Sequence, residues 1–144
     1  MNKQPIIIVD DDVDDRFFLN NKVRSLTHGE KDVLMFQSGK ELLNHLEQID
    51  QNEKSPEQFR ENIPAMIFLD LYMPEMNGLE VLKALRSNTL WSDIPVTVCT
   101  GGKSDKNIQK AQNLGANAFI PKPLKTYDVI QSMMKLHNYA LANI

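Results

Sequence analysis

The chain is expected to fold as a doubly wound α/β sandwich built on a five-stranded parallel sheet. Short apolar runs alternate five times with longer amphipathic or polar stretches, the pattern of strands joined by crossover helices. The runs lack polar alternation, as strands covered on both faces do. Acidic, hydroxyl and basic residues follow the ends of several runs, which is where such sheets place ligands.

The expected strands are "PIIIV" at 5–9, "DVLMF" at 32–36, "AMIFL" at 65–69, "PVTVC" at 95–99 and "AFI" at 118–120. A first helix is expected over 13–27. A second starts at Ser38, where Ser38-x-x-Glu41 has capping-box spacing. The third spans 78–88, the fourth 104–114 with Gly115 as a left-handed stop, and the fifth 126–141. At this size the flavodoxin-like strand order 2-1-3-4-5 follows, with the switch point between strands 1 and 3. The polar segment "EQIDQNEKSPEQFRENIP" at 47–64 is longer than a usual connection. It reads as an extension of the second helix, a turn at Ser55-Pro56 and a further helical turn. The expectation is a single domain over 1–144 with no output domain.

Composition narrows the functional classes. A net charge of −3 and a pI near 5.6 do not suggest nucleic-acid binding, which shows a basic patch or stripe. Cys99 is the single cysteine, so no internal disulfide forms and a reducing compartment is expected. The apolar runs are too short to span a bilayer, and the N-terminal run ends in acids rather than a cleavage site. These features point to a cytoplasmic protein with no membrane role.

The stretch "IIIVDDDVDDRFF" sets the chemical question: Asp10, Asp11, Asp12, Asp14 and Asp15 crowd behind the first strand. Like charges about 4 Å apart repel by roughly 1 kcal/mol in water and about 4 near a protein surface. Asp12, Asp14 and Asp15 suit a helix start, where negative charge complements the macrodipole. Asp10 and Asp11 end strand 1, and Asp70 ends strand 3, so all three should meet at the switch point. Three carboxylates there need a cation, and an incomplete set of oxygen donors with room for water suits Mg²⁺. Thr100 after strand 4 adds a hydroxyl donor, and Lys122 after strand 5 a mobile positive charge. The set describes a site for a transferable phosphoryl group.

The stretches "IIIVDDD", "MIFLDLYMPEMNGLEVL", "IPVTVCTGG" and "LGANAFIPKP" resemble, in order and over essentially the whole chain, the receiver domains of bacterial response regulators. The resemblance implies that Asp70 accepts a phosphoryl group from a sensor histidine kinase or a histidine phosphotransfer protein. It implies that Asp10 and Asp11, with Asp70 and the backbone carbonyl of Tyr72, hold Mg²⁺, for which Mn²⁺ can substitute. Thr100 matches the switch hydroxyl, Phe119 the aromatic switch residue and Lys122 the phosphate-pairing lysine, joined to Pro123 by a cis peptide. The expected role is a signalling switch with self-directed phosphotransfer and autodephosphorylation, not a metabolic enzyme. Its outputs would be a downstream protein target or onward relay of the phosphoryl group. The acid-rich opening and the 47–64 insertion also resemble stand-alone receivers paired with cyanobacterial phytochromes. That implies a homodimer through the fourth helix, fifth strand and fifth helix, or through the insertion.

Other readings fit less well. A haloacid-dehalogenase-like phosphatase needs an acid two residues after the nucleophile, where Tyr72 stands. A flavin site would meet five aspartates where phosphate must bind. A calcium loop from Asp10 fails at Asp15, where that motif needs Gly, and at Asn21, where it needs Glu. "GKS" at 102–104 lacks the first P-loop glycine, Thr97 being there instead. A receiver that has lost signalling would not need all five site residues. His28, His45 and His137 are scattered, Cys99 reads as packing, Met73 and Met76 as lining the site mouth, and Trp91 has no assigned role.

Overall fold

In the computed structural model, residues 4–52, 55–101 and 106–136 are described. Strands β1 (Ile6–Val9), β2 (Val33–Phe36), β3 (Met66–Asp70), β4 (Val96–Thr100) and β5 (Ala118–Pro121) form one sheet. The helices are α1 (Val13–Leu26), α2 (Gly39–Asn52), α3 (Pro56–Asn62), α4 (Gly78–Ser87), α5 (Asn107–Asn113) and α6 (Thr126–Leu136). The sheet order is β2-β1-β3-β4-β5, with all pairs parallel, as the sequence predicts. The expected start of the fourth helix at 104 and the end of the fifth over 137–141 lie outside the described residues.

Alternation along each strand sorts the core into two layers. Ile7, Val9, Ile67, Leu69, Val96 and Val98 face Leu42 and Leu46 of α2 and Val81, Leu82 and Leu85 of α4. Ile6, Ile8, Met66, Phe68, Cys99 and Ile120 face Leu19 and Val23 of α1 and Val129 and Met133 of α6. Each fully buried aliphatic or aromatic side chain contributes about 1.5–3 kcal/mol, so these layers offset the crowding of acids at the sheet's carboxyl edge. Strand β2 departs from the expectation of full burial. As an edge strand it hides Val33 and leaves Met35 exposed.

The polar segment at 47–64 contains the last turn of α2 and the separate helix α3. Ser55 caps α3 by accepting from the Gln58 amide, and Pro56 fills the first helical position. Phe59 of α3 stacks on Trp91 with ring centroids 5.4 Å apart. Trp91 is buried, so the tryptophan has a packing role that the sequence did not reveal. Arg86 ties α4 to the loops that lead into β4 and β5. Its guanidinium donates to the carbonyls of Ile94 (2.9 Å) and Gly115 (2.8 and 3.2 Å) and to Asn117 Oδ1 (2.9 Å). Gly115 adopts φ +95°, the left-handed stop expected after the fourth predicted helix.

Capping devices fix the starts of α2 and α4. Ser38 Oγ accepts from the Glu41 amide, while Glu41 accepts from the amide of Gln37. Asn77 and Glu80 form a reciprocal capping box on α4. Gly78, the first residue of α4, donates its amide to the Leu71 carbonyl at 2.9 Å. A Cβ there would lie 2.5 Å from the Asp70 carbonyl oxygen and 2.8 Å from Leu71 Cα, both backbone atoms. Gly78→Ala should therefore cost about 1–3 kcal/mol through forced backbone displacement. Urea unfolding measures it, and an unchanged midpoint would mean that α4 can shift freely away from β3.

Candidate phosphoacceptor and metal site

Strand register brings the site together. Val9 pairs with Leu69, so Asp10 and Asp70, each one residue further on, lie side by side. Thr100 pairs with Pro121, and the Lys122 amide donates to the Thr100 carbonyl at 2.7 Å. The Lys122–Pro123 peptide is cis. Asp70 and Thr100 are the last residues of β3 and β4 rather than the first beyond them. Both are buried, with 4% and 2% exposure, as is Asp10 at 1%.

The Asp10, Asp11 and Asp70 carboxylates each present an oxygen within 4.8 Å of the others. Asp10 and Asp70 are buried and Asp11 is exposed, so the group opens toward solvent on one side. Asp10 is oriented by the Asp12 amide, which donates to its Oδ1 at 2.9 Å. The Arg16 guanidinium donates to the Asp10 carbonyl at 2.6 Å.

Lys122 reaches into this group and contacts three carboxylates. Its Nζ lies 3.0 Å from Asp10 Oδ2, 3.2 Å from Asp70 Oδ1 and 2.8 Å from Asp15 Oδ2. Burial opposes its charge, but hydrogen bonds to Asp15 and Asp10 and the charge of Asp70 outweigh that and push its pKa up. Asp70 is pushed up to about 7, first by burial and then by the Asp10 charge, against the pull of Lys122. Burial also raises Asp10, opposed by the Asp12 amide and Lys122. Buried carboxylates that resist joint ionisation, with hard oxygen donors converging, suit a divalent cation such as Mg²⁺ or Mn²⁺. The ammonium supplies part of that charge within the protein itself. The donor set therefore fits the ion that the sequence predicts.

The other expected residues fall around this centre. Tyr72 follows Asp70 by two positions, with its side chain half exposed and its hydroxyl accepting from Asn107 Nδ2 at 3.0 Å. Phe119 lies half-buried on β5 against the α4 side of the core. Met73 is buried and Met76 packs partly buried against the same core, so both belong to packing rather than to the mouth. Cys99 is fully enclosed, and burial pushes its thiol up, which makes it unreactive. Gly102 and the "GKS" stretch lie outside the described residues.

Asp15 is the contact that sequence reading missed. Asp12 behaves as expected, capping α1 by accepting from the Asp14 and Asp15 amides at 2.8 and 3.1 Å. Asp15 also faces the site and makes the shortest of the Lys122 contacts. Its place in the first turn of α1 beside Asp11 was the available signal. The partner, distant in the chain, was not readable from local spacing.

The raised Asp70 pKa predicts a pH effect on metal-free protein. Its folded value, about 7, exceeds the ordinary 3.8, so proton uptake favours the folded state. That contribution is complete below the unfolded value and is lost as pH rises through the folded one. In chelator, the thermal midpoint should fall between about pH 4 and pH 7, and Asp70→Asn should flatten the fall. An equal slope in both proteins would contradict the burial-driven shift.

Comparison with known proteins agrees with this geometry. The family profile of the response regulator receiver domain matches residues 6–134. The chain is similar to a two-component response regulator of Arabidopsis thaliana, 30% identical over 142 residues, 96% of this chain and 75% of that protein. It is also similar to one from Oryza sativa subsp. japonica, 37% identical over 87 residues, 60% of this chain and 36% of that protein. It spans 36%, 32% and 52% of the lengths of three curated relatives that it matches. Among solved structures, the bacteriophytochrome response regulator RtBRR superposes with a TM-score of 0.75 at 30% identity, covering 95% of this chain and 79% of that one. Fold, site geometry and family profile coincide over nearly all of the sequence: the chain belongs to the response regulator receiver domain family.

Proposed function

We propose that the protein is a phosphorylation-activated signalling receiver that takes a phosphoryl group from a phosphohistidine onto Asp70. The observation that carries this reading is the convergence of Asp10, Asp11 and Asp70 with Lys122 in direct contact with the acceptor at 3.2 Å. In the transfer, a carboxylate oxygen of Asp70 forms a bond to phosphorus as the histidine N–P bond breaks, and the ring nitrogen keeps the electron pair. Asp10, Asp11, Asp70 and the Tyr72 carbonyl would hold Mg²⁺ or Mn²⁺, which supplies positive charge to the phosphoryl oxygens.

The protein's own groups do the rest. Lys122 offers a mobile cation to the new phosphoryl oxygens, and Thr100 a buried hydroxyl beside it. Drawing both inward would move the ends of β4 and β5 and shift Phe119, biasing the α5–β5–α6 face between two states. This is a self-directed transfer followed by slow hydrolysis, and the donor is a histidine kinase or a histidine phosphotransfer protein. Among the described residues no helix is long and apolar enough to cross a membrane.

Incubation with a small acyl phosphate and Mg²⁺ should add one phosphoryl mass to the wild type and none to Asp70→Ala. Absence of the adduct on wild-type protein under all donor conditions would overturn the proposal. The hydrolysis rate depends on water access past Tyr72. Its side chain carries no carboxamide or acid to orient water, and its hydroxyl is tied to Asn107. The phosphoryl half-life should be long and should shorten several-fold in Tyr72→Asn. Intact mass followed over time measures it, and an equal half-life would exclude a role for the tyrosine.

A further inference from the structure

Lys122 makes its shortest carboxylate contact outside the group that would hold the metal. Asp10 and Asp70 belong to that group, whereas Asp15, at 2.8 Å from Nζ, does not. The Asp15 and Lys122 side chains are about equally accessible, at 25% and 23% exposure, so their pairing is neither fully solvated nor sealed. A divalent ion taking Asp10 and Asp70 would displace the ammonium from two of its three partners. Asp15 alone then remains to receive it.

We propose that Asp15 is a positioning residue that seats the Lys122 ammonium while a divalent ion takes Asp10 and Asp70, and that it competes with a phosphoryl group on Asp70 for the same lysine. This rests on the phosphoacceptor reading of Asp70. The two halves of the role have opposite consequences. By giving Lys122 a seat away from the metal's carboxylates, Asp15 favours metal binding. By holding Lys122 there, it opposes the pairing of lysine with phosphoryl oxygens. A bare negative charge near the site would also favour a cation and oppose an anion, so a neighbouring acid is needed to separate general charge from the seating of Lys122.

The neighbouring Asp14 provides the control. It lies in the same first turn of α1 and complements the same helix end. Any effect of total charge or helix stability should appear equally in Asp14→Asn and Asp15→Asn.

The test is calorimetric titration of the full chain with Mg²⁺ alone, then with beryllofluoride, a phosphoryl mimic, at saturating Mg²⁺. Asp15→Asn should bind Mg²⁺ about two- to five-fold more weakly and beryllofluoride about two- to five-fold more tightly, the range of a partly exposed ion pair. Asp15→Glu should stay near wild type, and Asp14→Asn should produce neither change. High salt should narrow the beryllofluoride difference by screening the pair. Shifts of the same sign in both titrations, no shift in either, or an equal response from Asp14→Asn would overturn the role of Asp15. Should wild-type protein fail to bind beryllofluoride, or Asp70→Asn still bind it, the phosphoacceptor reading itself fails and this inference falls with it.

Discussion

One ammonium among three carboxylates organises the functional edge of this protein. Lys122 contacts Asp10, Asp15 and Asp70 within 3.2 Å, and it is delivered there from the far edge of the sheet by β5. Asp10 arrives on β1 and Asp70 on β3, while Asp15 comes from the first turn of α1. Without the lysine, burial and mutual repulsion would drive the two enclosed aspartates further toward their protonated forms. With it, Asp70 is held where its ionisation is sensitive to any added charge. A site in this condition responds strongly to a metal ion or to a phosphoryl group, because each alters a balance that is already close.

That balance depends on the register of the sheet more than on any loop. Four parallel pairings end almost flush, so residues immediately after or at the strand ends face a common edge. The apolar layers on either side hold that register, since a one-residue slip would turn each strand's core face around. Gly78 adds a local constraint by admitting α4 close to the backbone of Asp70. The geometry of the acidic group is thus a product of core packing, although none of its members contributes to that core.

The sequence made the parallel sheet legible because buried strands leave continuous apolar runs and their connections leave helical ones. It also made Asp10, Asp11, Asp70, Thr100 and Lys122 legible as candidates, since topology alone assigns the ends of neighbouring strands to one edge. Helix α3 was only partly legible: its cap, Ser55-Pro56, is a local signal, but its attachment is the contact of Phe59 with Trp91 across the intervening β3 and α4. The position of Asp15 was hidden for the same physical reason. An acidic side chain at a helix start satisfies the helix dipole by itself, so nothing nearby in sequence demands a second partner. Met73 and Met76 read as site-lining from their neighbours, yet space in the core beneath α4 took them inward.

The placement of Trp91 gives the molecule a natural optical reporter with an unusual field of view. It is the single tryptophan and stands before β4, at the amino end of the sheet, whereas the acidic group occupies the carboxyl end. A five-residue strand separates the two by about 15 Å at the usual rise per residue. Its indole packs on Phe59 of α3, so its emission should follow the anchoring of α3 rather than the charge state of the site. Fluorescence and site occupancy are in this way two separate channels, one at the pole of the molecule that packs α3 and the other at the pole that gathers the acids.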